Sequence, residues 1–240
     1  MSRVERAIIM AAGIGKRMQP VTLETPKPLV RVNGVRMIDT VIQGLHNNGI
    51  KEIYVVVGYL KEQFYVLEKE YPGVKIIDNP YYDTCNNIAS LYVARNYIED
   101  AIILDGDQII YNEKILSPEF ERSGYNCVWC EGQTDEWLLT VEDGLVKSCS
   151  RNGGVQGWQL FSISRWTAED GKKLKHHLEL EFEEKENRQI YWDDVAMFCY
   201  PQEYQMGICP MQYGDIIEID NLSELIEIDK SYVKYQKEVL

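Results

Sequence analysis

No stretch of this chain approaches the roughly 20 consecutive apolar residues that a membrane-crossing helix needs. Positive charge is short as well. Lys and Arg number 25 against 38 Asp and Glu, a formal charge of −13, which argues against nucleic acid or an anionic membrane surface as the main partner. Histidine is scarce, and His46, His176 and His177 read as solvated helix residues without chemistry. Among the six cysteines, Cys127 and Cys130 have metal-like spacing, but no second pair or histidine motif accompanies them, so no structural zinc is expected. Reduced, partly buried thiols in a cytoplasmic protein are the simplest account. Repeats, low-complexity tracts and clear linkers are absent. The opening MSRVERAII reads as a charged lead into a strand, not a secretory signal.

What remains is an acidic chain of 240 residues whose 45% hydrophobic content supports a substantial core. Apolar strand-like runs near 6–12, 50–57, 74–78 and 101–105 alternate with helix-period segments near 36–48, 60–70 and 87–98. That alternation predicts βαβ units and a mostly parallel sheet covered on both faces. After about residue 108 shorter strands follow, near 125–131, 137–141, 144–149 and 157–164. Turns fall at Glu142-Asp143-Gly144 and Asn152-Gly153-Gly154. A capping box at Thr167 and Asp170 starts a helix, and the charged stretch 169–188 reads as its solvated face. A helix through YWDDVAMF, strands near 205–209 and 215–219, and a closing helix over 222–237 complete the pattern. The expected class is α/β, a Rossmann-like mixed sheet flanked by helices with a small inserted antiparallel lobe. One domain spans 1–240, with a nucleotide-binding half over 1–108 and an acceptor-binding half over 109–240.

The chemistry begins where the first strand ends. Ala11 and Ala12 lead into Gly13-Ile14-Gly15, then Lys16-Arg17, then Pro26-Lys27-Pro28. Glycines let backbone N–H groups approach a phosphate, and fixed cations neutralise its charge. The two prolines set Lys27 on a stiff, extended segment. A Walker A loop is excluded, because Met10 stands where its first glycine belongs and Arg17 replaces the magnesium-holding hydroxyl. A dinucleotide fingerprint is excluded by Met18 at its third small position. The segment reads as a nucleoside triphosphate site.

Gly13, Gly15, Arg17, Pro20, Thr22, Pro26, Lys27 and Pro28 hold the spacing G-x-G-x-R, then P-x-T-x-x-x-P-K-P. This resembles the signature of nucleotidyltransferases that make nucleotide-activated sugars and alcohols. Within them, the chain is similar to the short bacterial CTP:phosphocholine cytidylyltransferases. The resemblance runs through VVVGYLKEQF (55–64), Asn86-Asn87, DGD (105–107), DEW (135–137), YWDD (191–194) and IIEID (216–220). It implies a nucleotide-diphospho-sugar transferase fold, with CTP and a phosphorylated amino-alcohol, phosphocholine above all, as substrates. No E-K-P element follows residue 140, where hexose-phosphate relatives carry one around the sugar.

Asp105-Gly106-Asp107 and Glu218-Ile219-Asp220 each follow an apolar run, and residues two apart in an extended chain share a side. On spacing alone they are either acidic strand ends or the ligands of one divalent cation. The resemblance implies the second, with Asp107 and Asp220 holding Mg²⁺, and Asp105 and Glu218 behind it or in the acceptor pocket. Trp137 and Tyr191-Trp192-Asp193 are either core aromatics or, with their carboxylates, a cage for a quaternary ammonium. The resemblance favours the cage. Trp158 and Ile88-Ala89 depart from the pattern of relatives.

Taken together, Arg17 and Lys27 are the expected catalytic residues. Ala11, Ala12, Gly13, Gly15, Lys16, Arg17, Asn86 and Asn87 are expected on the nucleotide, and Lys27, Trp137, Tyr191, Trp192, Asp193 and Glu218 on the acceptor. The competing acceptors are 2-aminoethylphosphonate, phosphoethanolamine or a sugar 1-phosphate. A carboxylate-rich, less aromatic pocket would favour a primary ammonium, which can donate hydrogen bonds. The competing class is a nucleotide-binding regulatory module without catalysis.

Overall fold

The computed structural model describes the backbone of residues 1–238 and side chains through Gln236. The apolar run at the start forms strand β1 (Arg6–Ala11), followed after a long loop by helix α1 (Met37–Asn47). Strands β2 (Glu52–Val57) and β3 (Val74–Asp78), helix α2 (Ile88–Val93) and strand β4 (Ala101–Asp105) complete the first half. The order β4-β1-β2-β3 is parallel throughout. Side chains alternate across the strands and both faces are buried. Ile9, Ala11, Val55 and Leu104 pack with α1, while Ile8, Met10, Val56 and Ile103 face α2. Covering both faces is why these strands read as unbroken apolar runs.

The second half continues the same sheet. Its strands there are β6 (Gly124–Thr134), β7 (Leu138–Glu142), β8 (Leu145–Ser150) and β9 (Gly154–Trp166), while β5 (Gln108–Ile110) lies outside the large sheet. Helix α3 (Ala168–Glu179), strands β10 (Gly207–Pro210) and β11 (Ile216–Glu218) and helix α4 (Leu222–Ile228) follow. The C-terminal end of β9 pairs antiparallel with β4, and its other end carries β7 and, beyond it, β8. The expected lobe is therefore an antiparallel extension of one nine-stranded sheet. A 13-residue strand long enough to bridge both parts makes it so. Thr167 caps α3 by accepting from the Asp170 N–H at 3.2 Å. The closing helix is shorter than expected: α4 ends at Ile228, and 3₁₀ turns run from Lys230 to Glu238.

His177 corrects the reading of solvated histidines. It is buried, its ring lies 3.8 Å from Tyr200 in a stack, and its Nδ1 is 2.7 Å from the Tyr204 hydroxyl. Among the described residues no helix is long and apolar enough to cross a membrane.

A third apolar cluster matters most for the site. Met18 and Ile219 are fully buried in it beside Ile109, Val30 and Leu225. It joins the residues after Arg17, the strand after Asp107 and the residue before Asp220 into one support.

Candidate active site

β11 pairs antiparallel with β5, with Glu218 opposite Gln108. In such a ladder the residues beyond Glu218 lie beside those before Gln108, so Asp220 comes to Asp107 from the far end of the chain. The Lys27 ammonium joins them, 2.6 Å from Asp107 Oδ2 and 3.1 Å from Asp220 Oδ1. Arg17 reaches Asp220 at 3.0 Å while most of its side chain stays in solvent. Burial works against the Lys27 charge, but Asp107 and Asp220 outweigh it and raise its pKa.

Local packing explains these positions. Gly15 has φ +67°, and a Cβ there would press on Thr22 at 3.1 Å and on Lys27 at 3.2 Å. Thr22 in turn donates its hydroxyl to the Gly15 carbonyl at 2.8 Å. Gly106 donates its N–H to the Met10 carbonyl, and a Cβ on it would crowd Ile9 and Pro28. The Lys27 backbone differs from the extended segment expected. It opens a 3₁₀ turn, Lys27–Leu29, closed by the Leu29 N–H on the Pro26 carbonyl at 2.8 Å. The early positions of such a turn need no N–H, so Pro28 fits and the segment is stiff all the same.

Three cavities meet here. One of about 380 Å³ collects Ala11, Gly13, Gly15, Lys16, Arg17, Lys27, Asp105, Asp107 and Asp220. A second, of about 180 Å³, is lined by Ala12, Gly13, Asn86 and Asn87 together with Asn79, Tyr82, Cys85 and Ser90. A third, of about 250 Å³, holds Trp137, Tyr191, Asp193 and Glu218, with Asn87, Asp105, Glu136, Leu160 and Ser162. Gly13 and Asn87 each line two of them, as does Asp105.

Asn79, Ser90, Glu136 and Ser162 were not anticipated. Asn79 follows the last residue of β3 at the carboxyl end of the sheet, where α/β ligand crevices open. That placement, and the neighbourhood of Glu136 to Trp137, were the available signals.

Trp192 is a correction. It is 4% exposed and packs against Tyr125 and Trp166, so its ring belongs to the core and not to the third cavity. The chain turns into a helix here, with the Asp194 N–H on the Tyr191 carbonyl and the Val195 N–H on the Trp192 carbonyl, and this turn leaves Tyr191 exposed and Trp192 inside. Trp158 is also away from that cavity, edge-on to Trp129. Two rings remain, Trp137 and Tyr191, perpendicular with centroids 5.9 Å apart. They are tied together from behind. Arg151 lies over Phe198 and Trp137 and is 2.5 Å from Asp194, which accepts the Tyr191 N–H at 2.9 Å.

The carboxyls of this cavity are strongly perturbed. Burial pushes Asp193 up to about 7, and burial with the nearby Asp107 charge pushes Glu218 up to about 7. Burial raises Asp105 well above the usual range. Glu218 accepts from Gln108 Nε2 at 2.7 Å, and Asp193 lies beside the buried Tyr125 hydroxyl, which works against the rise.

A cleft of paired cations and carboxylates beside a glycine loop, a polar side cavity and an acidic cavity that shares Asp105 with the cleft suit a transferase with two substrates. Residues 7–162 match the model of the MobA-like NTP transferase domain. The chain belongs to this family. It is a nucleotidyltransferase. It is 39% identical over 229 residues to a 2-aminoethylphosphonate cytidylyltransferase of Lancefieldella rimae, covering 95% of this chain and 93% of the relative. A choline-phosphate cytidylyltransferase of Streptococcus pneumoniae is 31% identical over 225 residues, 94% of this chain and 97% of the relative. A solved structure of CTP:phosphocholine cytidylyltransferase from Streptococcus pneumoniae superposes with a TM-score of 0.88 at 31% identity, covering 95% of this chain and 99% of that one.

Proposed function

We propose that this nucleotidyltransferase is a cytidylyltransferase that joins CTP to a small phosphonate or phosphate monoester bearing a primary ammonium, 2-aminoethylphosphonate first, and releases pyrophosphate. The observation that carries the acceptor assignment is the composition of the third cavity. Four carboxyl residues, Asp105, Glu136, Asp193 and Glu218, line it beside two rings, and Trp192 is absent from it. A primary ammonium donates hydrogen bonds to carboxylates, whereas a trimethylammonium needs aromatic faces. The relatives named for cytidylyl transfer support the donor. The small polar cavity at Asn79, Asn86, Asn87 and Ser90 suits a one-ring base.

In this reading an oxygen of the acceptor attacks the α-phosphorus of CTP in line and pyrophosphate leaves. Arg17, Lys16 and the Gly13–Gly15 amides bind the β- and γ-phosphates and stabilise the leaving group. Lys27 holds the α-phosphate and the incoming oxygen together. Positioning and charge neutralisation supply most of the acceleration, since the acceptor dianion needs no protein base. The Asp107–Asp220 pair fits Mg²⁺, because two carboxylate oxygens already enclose one cation and magnesium takes its other ligands from phosphates and water. When bound there, the ion neutralises charge on the α-phosphate.

Phosphocholine is the second reading, favoured by the perpendicular Trp137–Tyr191 pair. A competition assay at saturating CTP separates the two. We expect 2-aminoethylphosphonate to exceed phosphocholine in kcat/KM by about tenfold, the scale of one charge-assisted hydrogen bond. Trp137→Leu is expected to harm phosphocholine more than the primary amine. A preference for phosphocholine that Trp137→Leu erases would establish the second reading instead.

The acidic cavity also sets a pH dependence. A carboxyl raised to about 7 keeps its proton below that pH and becomes an anion above it. KM for the ammonium acceptor should therefore fall as pH rises from about 6 to about 8. Asp193→Asn should flatten that fall. The ionisation of the acceptor's own phosphorus group is common to both proteins, so their difference isolates the pocket. Identical profiles would remove Asp193 from acceptor binding.

A further inference from the structure

Lys27 sits where the metal of the proposed reaction would have to go. Its ammonium is 2.6 Å from one of the two carboxylates and 3.1 Å from the other, and only about a tenth of its side chain is exposed. The Arg17 guanidinium adds a second cation at 3.0 Å from Asp220. Of the three cations and three carboxyls that line the cleft, Lys27, Arg17, Asp107 and Asp220 are paired directly, two cations against two anions. Among the described residues no group of three or more His, Cys, Asp or Glu side chains is arranged to hold a metal. A divalent ion entering this cleft alone would meet a balanced quartet and bring an uncompensated double positive charge. The magnesium complex of CTP is a net dianion, and its phosphates offer Lys27 and Arg17 new partners.

Resting on the proposed metal site, we infer that Lys27 is an internal counter-cation that keeps the Asp107–Asp220 pair closed to free metal until the nucleotide arrives. The exchange is one of ligands only. The Lys27 ammonium would leave the two carboxylates for phosphate oxygens, which would free Asp107 and Asp220 to hold the metal. No bond to carbon or phosphorus changes. The lysine thus orders binding: metal and nucleotide enter together, and free Mg²⁺ does not fill the site. The stiff turn between Pro26 and Pro28 fixes the backbone, so the motion lies in the side chain alone.

Mn²⁺ binding followed by electron paramagnetic resonance tests this without turnover. Wild type alone should bind no Mn²⁺ in the submillimolar range, and CTP should bring in one ion. Lys27→Met removes the charge while keeping an unbranched side chain one atom shorter, and should bind Mn²⁺ without nucleotide at least about tenfold more tightly than wild type. Adding Asp107→Asn to Lys27→Met should abolish the gain. Thermal melting gives a second reading: Mg²⁺ alone should raise the Tm of Lys27→Met and leave wild type unchanged. Lys27→Gln replaces the methionine variant if that one does not fold. Tight Mn²⁺ binding by wild type alone, or equal affinities of wild type and both variants, overturns the inference while leaving the metal site in place. Failure of CTP to recruit Mn²⁺ to wild type overturns the metal site itself, and the inference with it.

Discussion

Lys27→Ala should lower turnover at saturating substrates at least about a hundredfold, with the folded state retained. The lysine touches both acids, and its contact to the transferring phosphate would strengthen as charge builds in the transition state. Losing one such donor costs about 3 kcal/mol, which is the hundredfold stated. The fold should survive because Met18 and Ile219, which flank the site in sequence next to Arg17 and Asp220, are fully buried in an apolar cluster that does not include the lysine. The two carboxylates left behind are partly open to water, so their repulsion is screened. Steady-state kinetics beside a melting curve checks both halves. Near-normal kcat with an intact fold would remove Lys27 from the chemistry.

Asp107→Asn and Asp220→Asn should each cost at least about a thousandfold in Mg²⁺-dependent activity, and the double variant should be little worse than either single. Groups that serve one ion act as a unit, so their losses do not multiply. The geometry makes this a sharp test, since both carboxylates touch the same ammonium. Independent, multiplicative losses would mean that the two acids do not share a cation. Mn²⁺ titrations of the single variants in the presence of CTP would locate the defect in binding or in the chemical step.

Much of this arrangement was legible in the residues. Apolar runs covered on both faces gave the parallel strands, and the loop from Gly13 to Lys27 announced its cations and its glycines. The resemblance joined Asp107 to Asp220, and the β5–β11 ladder supplies the physical cause. Spacing could not have done so, because pairing between distant segments is not encoded locally. Trp192 misled for a related reason. Four polar or aromatic residues in a row, YWDD, carry no period, and only the turn decides which ring faces the cavity. His177 was misread because the charged stretch around it suggested solvent, while Tyr200 and Tyr204 arrive from further along the chain to cover it. The inserted antiparallel lobe was legible from its short strands and turns, but that it extends the main sheet was not, because the 13-residue strand shared by the two parts shows no break in its own sequence.

The central claim is nucleotidyl transfer from CTP to a small ammonium-bearing acceptor, and one measurement meets it directly. Purified protein is incubated with Mg²⁺ and each of the four ribonucleoside triphosphates, with and without 2-aminoethylphosphonate, phosphoethanolamine, phosphocholine or a sugar 1-phosphate, and pyrophosphate is quantified with the products identified by mass. The account predicts pyrophosphate from CTP above the other nucleotides, only when an amine acceptor is present, with one CMP-linked product formed per pyrophosphate. Nucleotide binding with no pyrophosphate from any pairing, or release only with a sugar 1-phosphate, would contradict it.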